Sequence, residues 1–366
     1  MKAEARFAFV IDALPALGGA EKVLFTALEA YPQADVFTLI YNKRLFNGTA
    51  LADRDIQTSY LNKFPLAQKH HRFFLPLMPR AVESFDLRDY DVIVSFSYAV
   101  AHGVRNHNGA RHYSYTYTPM RYAWTDLNLN GTHARKTWFL HQLMGAFRKW
   151  DRKAASRVHS FAAISCAVAR RIQQAWGRDS RLIYPPVEIE RFKPGPKRGD
   201  YYITVSRLVP HKRVDLLVQA FSQLGLPLLV IGDGPQLPRL KDKAKSNVQL
   251  PGYQPDSRTA ELIAGARGFV CAAEEDFGIA IVEAQAAGTP VLAYRQGGAL
   301  ESVIDGQTGL FFEHQSLDSL IDAVERFEAR VDSFCTDDIV KNARRFCKSR
   351  FLQEFSQFIE NGCVKT

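Results

Sequence analysis

Residues 268–294, "GFVCAAEEDFGIAIVEAQAAGTPVLAY", decide the fold. "GFVCAA" is a short apolar run, "DFG" a turn, a helix is predicted to begin near Ile279, and "TPVLAY" returns as a second apolar run. Continuous rather than alternating apolar runs suit parallel strands covered by helices on both faces. Working outward, "YYITVSRL", "PLLVIGDG" and "NVQLPGY" precede this unit, and "RFAFVID", "DVFTLIY", "DVIVSFS", "ARHYSYTYT" and "SFAAIS" form an earlier series. The pattern predicts two doubly wound α/β domains. "YPPVEIERFKPGPKRG" separates them, because Pro185, Pro186, Pro194 and Pro196 forbid helix continuation. The expected division is 1–184, 185–345 and a terminal helical segment 346–366. That segment offers Phe346, Phe351, Phe355 and Ile359 as apolar contacts and is expected to pack back toward the first domain.

A chain of 366 residues exceeds what one core usually serves. Its 46% hydrophobic and 23% charged residues exclude a fibre and wholesale disorder. The net charge of +9 favours anionic partners without choosing among nucleotide phosphates, lipid headgroups and nucleic acid. Five cysteines, odd in number and without CxxC spacing, fit a reducing compartment. The N-terminal stretch imitates a signal peptide, but Asp12 interrupts it and it reads better as a first strand. With no apolar run of about 18 residues, a membrane role is expected to be peripheral. The expected location is therefore cytoplasmic, with attachment to the inner face of the membrane left open.

Four acidic residues stand in the deciding stretch. If the helix starts near Ile279, its unpaired N–H groups face the crevice at the carboxyl end of the sheet, where anions bind well. Glu275 then lies on the loop above that crevice and Glu283 in the second helical turn. Two carboxylates beside a diphosphate would repel it, so they are better read as acceptors for neutral hydroxyls, which a nucleotide sugar carries on both its ribose and its hexose.

"EEDFGIAIVEAQAAGTPVLA" resembles the E-x7-E signature of the retaining family 4 glycosyltransferases, which have the GT-B fold of two Rossmann-like domains facing across a cleft. "GGAEK", "TPMRYAW", "YPPVEIERF", "VSRLVPHKR", "VIGDGP", "VQLPGYQPD", "GGALESV" and "DGQTGLFF" match the family in order, from residue 7 to about 315. The resemblance implies that Glu283 meets the ribose and Glu275 the transferred hexose. It implies further that backbone N–H groups around Phe277, Gly278 and Ile279 contact sugar and phosphate, and that Arg207 and Lys212 neutralise the diphosphate. A guanidinium fork and an ammonium suit the charge that grows on the leaving diphosphate. Gly252 and Tyr253 are expected at the nucleobase, Gly232 at the donor, and Gly18 and Gly19 in a turn that lets backbone approach phosphate or acceptor. Where relatives carry a His before "TPxRYxW" this chain has Tyr117, so Tyr117 or His102 is expected to take that place. Arg121 is a candidate for acceptor or phosphate contact.

No nucleophile with an adjacent base is evident, and the resemblance implies retention by front-face displacement, with positioning and electrostatics supplying catalysis. The expected reaction moves a hexose, glucose or mannose, from a nucleoside-diphosphate sugar to a saccharide or lipid-linked saccharide in polysaccharide biosynthesis, without cofactor or metal. Asp53-Arg54-Asp55 and Asp89-Tyr90-Asp91 fit a DxD metal pattern only formally. Alternatives are a GT-B sugar-nucleotide epimerase, an NAD-dependent oxidoreductase, which the missing G-x-G-x-x-G opposes, and a nucleic-acid-binding protein, for which no recognition element is evident. No nucleic-acid partner is expected. Residues 132–157 predict a helix with Leu140, Leu143, Met144 and Phe147 on one face, Trp138 and Trp150 toward its ends, and Arg135, Lys136, Arg148, Lys149, Arg152, Lys153 and Arg157 against the single acid Asp151. Two readings stand: a helix packed on the first sheet, or a basic surface that with "QKHHRFFLPLMPR" meets anionic lipid.

Overall fold

The computed structural model describes residues 5–124, 134–195 and 197–363. Pro196 of the expected linker lies outside them, as do the side chains of Arg135, Lys136, Trp138 and Leu140. The chain divides into two compact units, one running to Tyr184 and resuming at Phe351, the other Pro185–Arg350.

The first unit is built on a seven-stranded sheet of β1 (Phe7–Ile11), β2 (Asp35–Thr38), β3 (Ile56–Thr58), β4 (Val92–Ser97), β5 (Arg111–Thr116), β6 (Ser160–Ala163) and β7 (Ser180–Leu182), in the order β3-β2-β1-β4-β5-β6-β7. Every pairing is parallel. All six residues of β4 are buried, as a strand covered on both faces requires. One face carries Val10, Ile93 and Phe37 against Met144 and Phe147, so the helix Ala134–Ala155 packs its apolar side on this core. The helix Lys348–Cys363 closes part of the other face. There Phe355 meets Phe9, Phe96 and Tyr115, and Phe351 meets Tyr115 at 5.7 Å.

The second unit holds a six-stranded parallel sheet of β8 (Tyr202–Val205), β9 (Leu228–Ile231), β10 (Val248–Gly252), β11 (Gly268–Cys271), β12 (Val291–Tyr294) and β13 (Gly309–Phe312), in the order β10-β9-β8-β11-β12-β13. Its core gathers Leu217, Phe221, Val270, Leu292, Phe312 and Phe327. In each sheet the winding reverses once, between β1 and β4 and between β8 and β11. Crevices at the carboxyl ends of the strands open at such reversals, which makes the loops after these four strands the places to look for chemistry.

Candidate functional site

At the β8/β11 reversal, the loop after β11 enters the helix Ile279–Ala286 through Gly278, whose φ of +90° is one that an L side chain rarely takes. The residues before it are clamped from the β12 side. The Gly298 N–H donates to the Glu275 carbonyl at 2.8 Å, and a Cβ on Gly297 would lie 2.2 Å from that oxygen. Phe277 is buried against Phe346. The backbone of 275–278 is thus fixed, and the first-turn N–H groups of the following helix present a positive end to the crevice.

The loop after β8 carries two cations, Arg207 and Lys212, and brings Lys212 to this crevice. Lys212 Nζ lies 2.7 Å from both carboxylate oxygens of Glu275, with the two side chains only 20% and 18% exposed. Arg207 is exposed and, among the described residues, makes no ion pair. Glu283 is half-buried in the same helix. Beneath the pair, Cys271 Sγ is 4.0 Å from Glu275 Oε1, and burial first, then the Glu275 charge, pushes its thiol up to about 12. Cys271 is therefore a neutral wall of the site, not a nucleophile. Tyr253, 69% exposed after Gly252, offers a ring at the end of β10. Gly232 serves the backbone itself. A Cβ there would come 1.9 Å from the Ser206 carbonyl, and its N–H is given to the Gly252 carbonyl.

At the β1/β4 reversal, Gly18 is the N-cap residue of the helix Gly19–Ala30. Tyr117, after β5, donates its hydroxyl to the Ala20 carbonyl at 2.9 Å, and burial raises its phenol well above the ordinary value. Tyr117 thus steadies the Gly18-Gly19 turn, and its proton is committed there instead of to a sugar. Asp12, at the end of β1, accepts N–H groups from Tyr98, Ala99, Val100 and Ala101. Burial pushes its carboxyl up while those four amides pull it back. Arg121 is half-buried at the start of the short helix Arg121–Trp124.

His102 does not occupy the place expected of it. It is wholly buried, with Nδ1 3.0 Å from Ser97 Oγ and Nε2 3.0 Å from Asp151 Oδ1, and its ring lies 4.5 Å from that of Trp176. A side chain enclosed in this way cannot touch a sugar. Sequence reading missed its partner: Asp151, also wholly buried, accepts the indole N–H of both Trp124 and Trp176 through Oδ2. The signal for it was that it is the single acid in a basic helix. In the same helix Arg152 stacks on Trp124 and donates to the Ala175 carbonyl, while Arg157, just beyond the helix end, pairs with Glu83. Those two cations are part of the packing.

Among the described residues no three His, Cys, Asp or Glu side chains gather as metal ligands. Of the two DxD stretches, Asp55 accepts from Gln57, and Asp91 accepts the Arg6 backbone N–H. Nor is any helix among those residues long and apolar enough to cross a membrane.

Residues 187–345 match the family model described as glycosyl transferases group 1. The chain is 31% identical, over 44% of its own length and 50% of the other's, to the GDP-mannose-dependent alpha-(1-6)-phosphatidylinositol monomannoside mannosyltransferase of Mycobacterium tuberculosis. It is 30% identical to the D-inositol 3-phosphate glycosyltransferase of Mycobacterium leprae over 40% and 39% of the two chains. It thus spans half or less of the length of these curated relatives. Among solved structures, HepE of Anabaena in complex with UDP and glucose superposes with a TM-score of 0.70 over 98% of this chain and 100% of that one, at 19% identity. Sucrose-phosphate synthase of Thermosynechococcus elongatus gives 0.75 over 99% and 100%, at 17% identity. The two doubly wound sheets are those of the GT-B glycosyltransferases.

Proposed function

We propose that this chain is a retaining glycosyltransferase that moves a hexose from a nucleoside-diphosphate sugar to a saccharide or lipid-linked saccharide. The observation that carries the reading is the Lys212–Glu275 pair, held beside the Ile279–Ala286 helix terminus, with Arg207, which makes no ion pair among the described residues, on the same loop as Lys212. Two cations on the loop after β8 and a helix terminus border the crevice that the reversal opens, a set that suits a diphosphate. The carboxylates suit the hydroxyls on either side of it, Glu283 the ribose and Glu275 the hexose. Tyr253 is the platform for the base, next to Gly252. In the first unit the Gly18-Gly19 turn and Arg121 are the groups for an anionic or hydroxylated substrate.

In this mechanism bond breaking transfers charge to the leaving diphosphate, and Arg207, Lys212 and the helix terminus stabilise it without a metal ion. The acceptor hydroxyl attacks from the face the diphosphate leaves, and a donor phosphate oxygen takes its proton, so no protein base is needed. The relatives support a hexose donor: one is described as GDP-mannose-dependent, and HepE was solved with UDP and glucose. The test is to supply UDP-glucose and GDP-mannose separately, with and without a saccharide or lipid-linked saccharide, and to follow nucleoside diphosphate release and the anomeric configuration of the product by NMR. Acceptor-dependent release with retained configuration is expected. Inversion would overturn the mechanism, and release that ignores the acceptor would overturn transfer.

A further inference from the structure

Five of the large apolar side chains exposed in this protein fall within residues 60–77, in the first unit: Tyr60, Phe64, Leu66, Phe73 and Leu77. They are joined. The Tyr60 hydroxyl donates to the Leu77 carbonyl, and the Phe64 ring lies 5.5 Å from Phe74, which packs on the core beneath. Phe73 is 82% exposed and Leu66 64%, values at which a bulky apolar side chain gains nothing from folding. Leu66 is also held at φ +63°, a left-handed conformation unusual for leucine, at the start of the helix Ala67–His70. The segment is short-helical, interrupted by Pro65 and Pro76, and offers no long groove for a partner helix.

The charge around this patch is mostly positive, Asp55 being an acid on the adjoining cleft beside Lys43, Arg44 and Arg54. From residue 56 to residue 82 the sequence contains Lys63, Lys69, Arg72 and Arg80 and no Asp or Glu. Beside it, Asn62 and Gln68 wall both a small cavity lined by Phe64 and Leu66 and an open cleft of about 700 Å³ whose rim carries Lys43 and Arg44. Both cations are exposed and, among the described residues, make no ion pair. A cation-bearing cleft beside protruding aromatic and aliphatic side chains has the composition of a surface that lies in a membrane interface. A second copy of the chain fits poorly, because a twofold contact sets the same patch against itself and brings like charges together.

We infer that residues 60–77, with Lys43 and Arg44, dock the first unit on an anionic lipid bilayer: Phe73, Leu66 and Phe64 enter the acyl boundary and the cations meet lipid phosphates. Binding is read without turnover, so the inference stands or falls independently of the glycosyl transfer proposed above.

The test is co-sedimentation of the full chain with vesicles of phosphatidylcholine alone and of phosphatidylcholine mixed with phosphatidylglycerol, at low and high salt. Binding to the anionic vesicles only, released by salt, is the expected result. Lys43→Glu with Arg44→Glu should weaken it about tenfold or more, since each cation near such a surface is worth roughly fivefold. Leu66→Ser with Phe73→Ser changes only exposed side chains and should also weaken binding at least tenfold, with the circular dichroism melt unchanged. Equal binding to neutral vesicles, no binding, or unaltered binding by both variants would overturn the inference. So would a concentration-dependent dimer, seen by sedimentation equilibrium, that the Leu66/Phe73 variant abolishes, for the face would then belong to a second copy.

Discussion

Lys212 Nζ is equidistant, at 2.7 Å, from the two carboxylate oxygens of Glu275. The ammonium is thereby held over the crevice with one of its three N–H donors left for a ligand. A diphosphate would turn a neutral pair into a network of two anions and one cation, which Arg207 completes.

In the proposed function, removing Lys212 would do two things, withdrawing charge from the leaving group and leaving the Glu275 carboxylate facing the phosphates. Lys212→Ala should lower kcat about a hundredfold or more, the usual scale for one preorganised electrostatic group. Glu275→Ala should reduce kcat more than donor affinity. Steady-state kinetics with the active donor checks both, and wild-type turnover in the two variants would remove the pair from the site.

Glu283 has a different task. In the proposed function it accepts ribose hydroxyls, and such a charged hydrogen bond would contribute about 1.5 to 3 kcal/mol, equally before and during reaction. Glu283→Ala should therefore weaken donor binding roughly tenfold or more while kcat at saturation changes little. Calorimetric titration with the donor measures it.

If Arg207, Lys212 and a helix terminus carry the diphosphate, divalent cations have no essential place. EDTA should leave the rate nearly intact. Abolition by chelator with rescue by manganese or magnesium would overturn the electrostatic assignment.

The fold was legible where strands are buried. β1, β4, β8 and β11 read directly as apolar runs, because strands covered on both faces tolerate little else, and β5, "RHYSYT", read as a strand from its tyrosines. The edge strands β3 and β7 escaped, since three residues with side chains largely open to solvent leave no pattern to read. β13, "GLFF", was quoted as part of a motif and not read as a strand, although it is as long and as buried as β11. In the site, Glu275 and Lys212 meet as residues 63 apart in sequence, a contact that spacing alone does not give. His102 misled for the opposite reason: a histidine after a strand looks the same in sequence whether it faces a ligand or a buried aspartate.

His112 gives the fold a pH dependence. It is buried, with Nε2 2.9 Å from Ser95 Oγ, and burial first, then the charges of His102 and Arg157, lowers it to about 3. The unfolded chain takes up this proton near pH 6.5 and the fold does not, so stability is full above that value and falls as pH drops toward 3, by up to about 1.4 kcal/mol per unit. His112→Asn keeps a hydrogen-bonding group for Ser95 but has no proton to gain, and its urea midpoint should fall less steeply than the wild type's across this window. Parallel curves would show that His112 is not the group responsible.

Asp151 joins four parts of the first unit, with Trp124, Trp176 and His102 all turned toward its carboxylate. Asp151→Ala would leave two indole N–H groups and an imidazole nitrogen buried without their partner, a loss on the order of 3 to 5 kcal/mol. Asp151→Asn keeps an amide oxygen for the indoles and should lose about 1 kcal/mol, chiefly the charge facing His102. Because Trp124 closes the short helix that Arg121 opens, the alanine variant should also loosen Arg121. Urea unfolding of both variants measures the difference. An alanine variant as stable as the asparagine one would mean that the buried carboxylate does not hold these elements together.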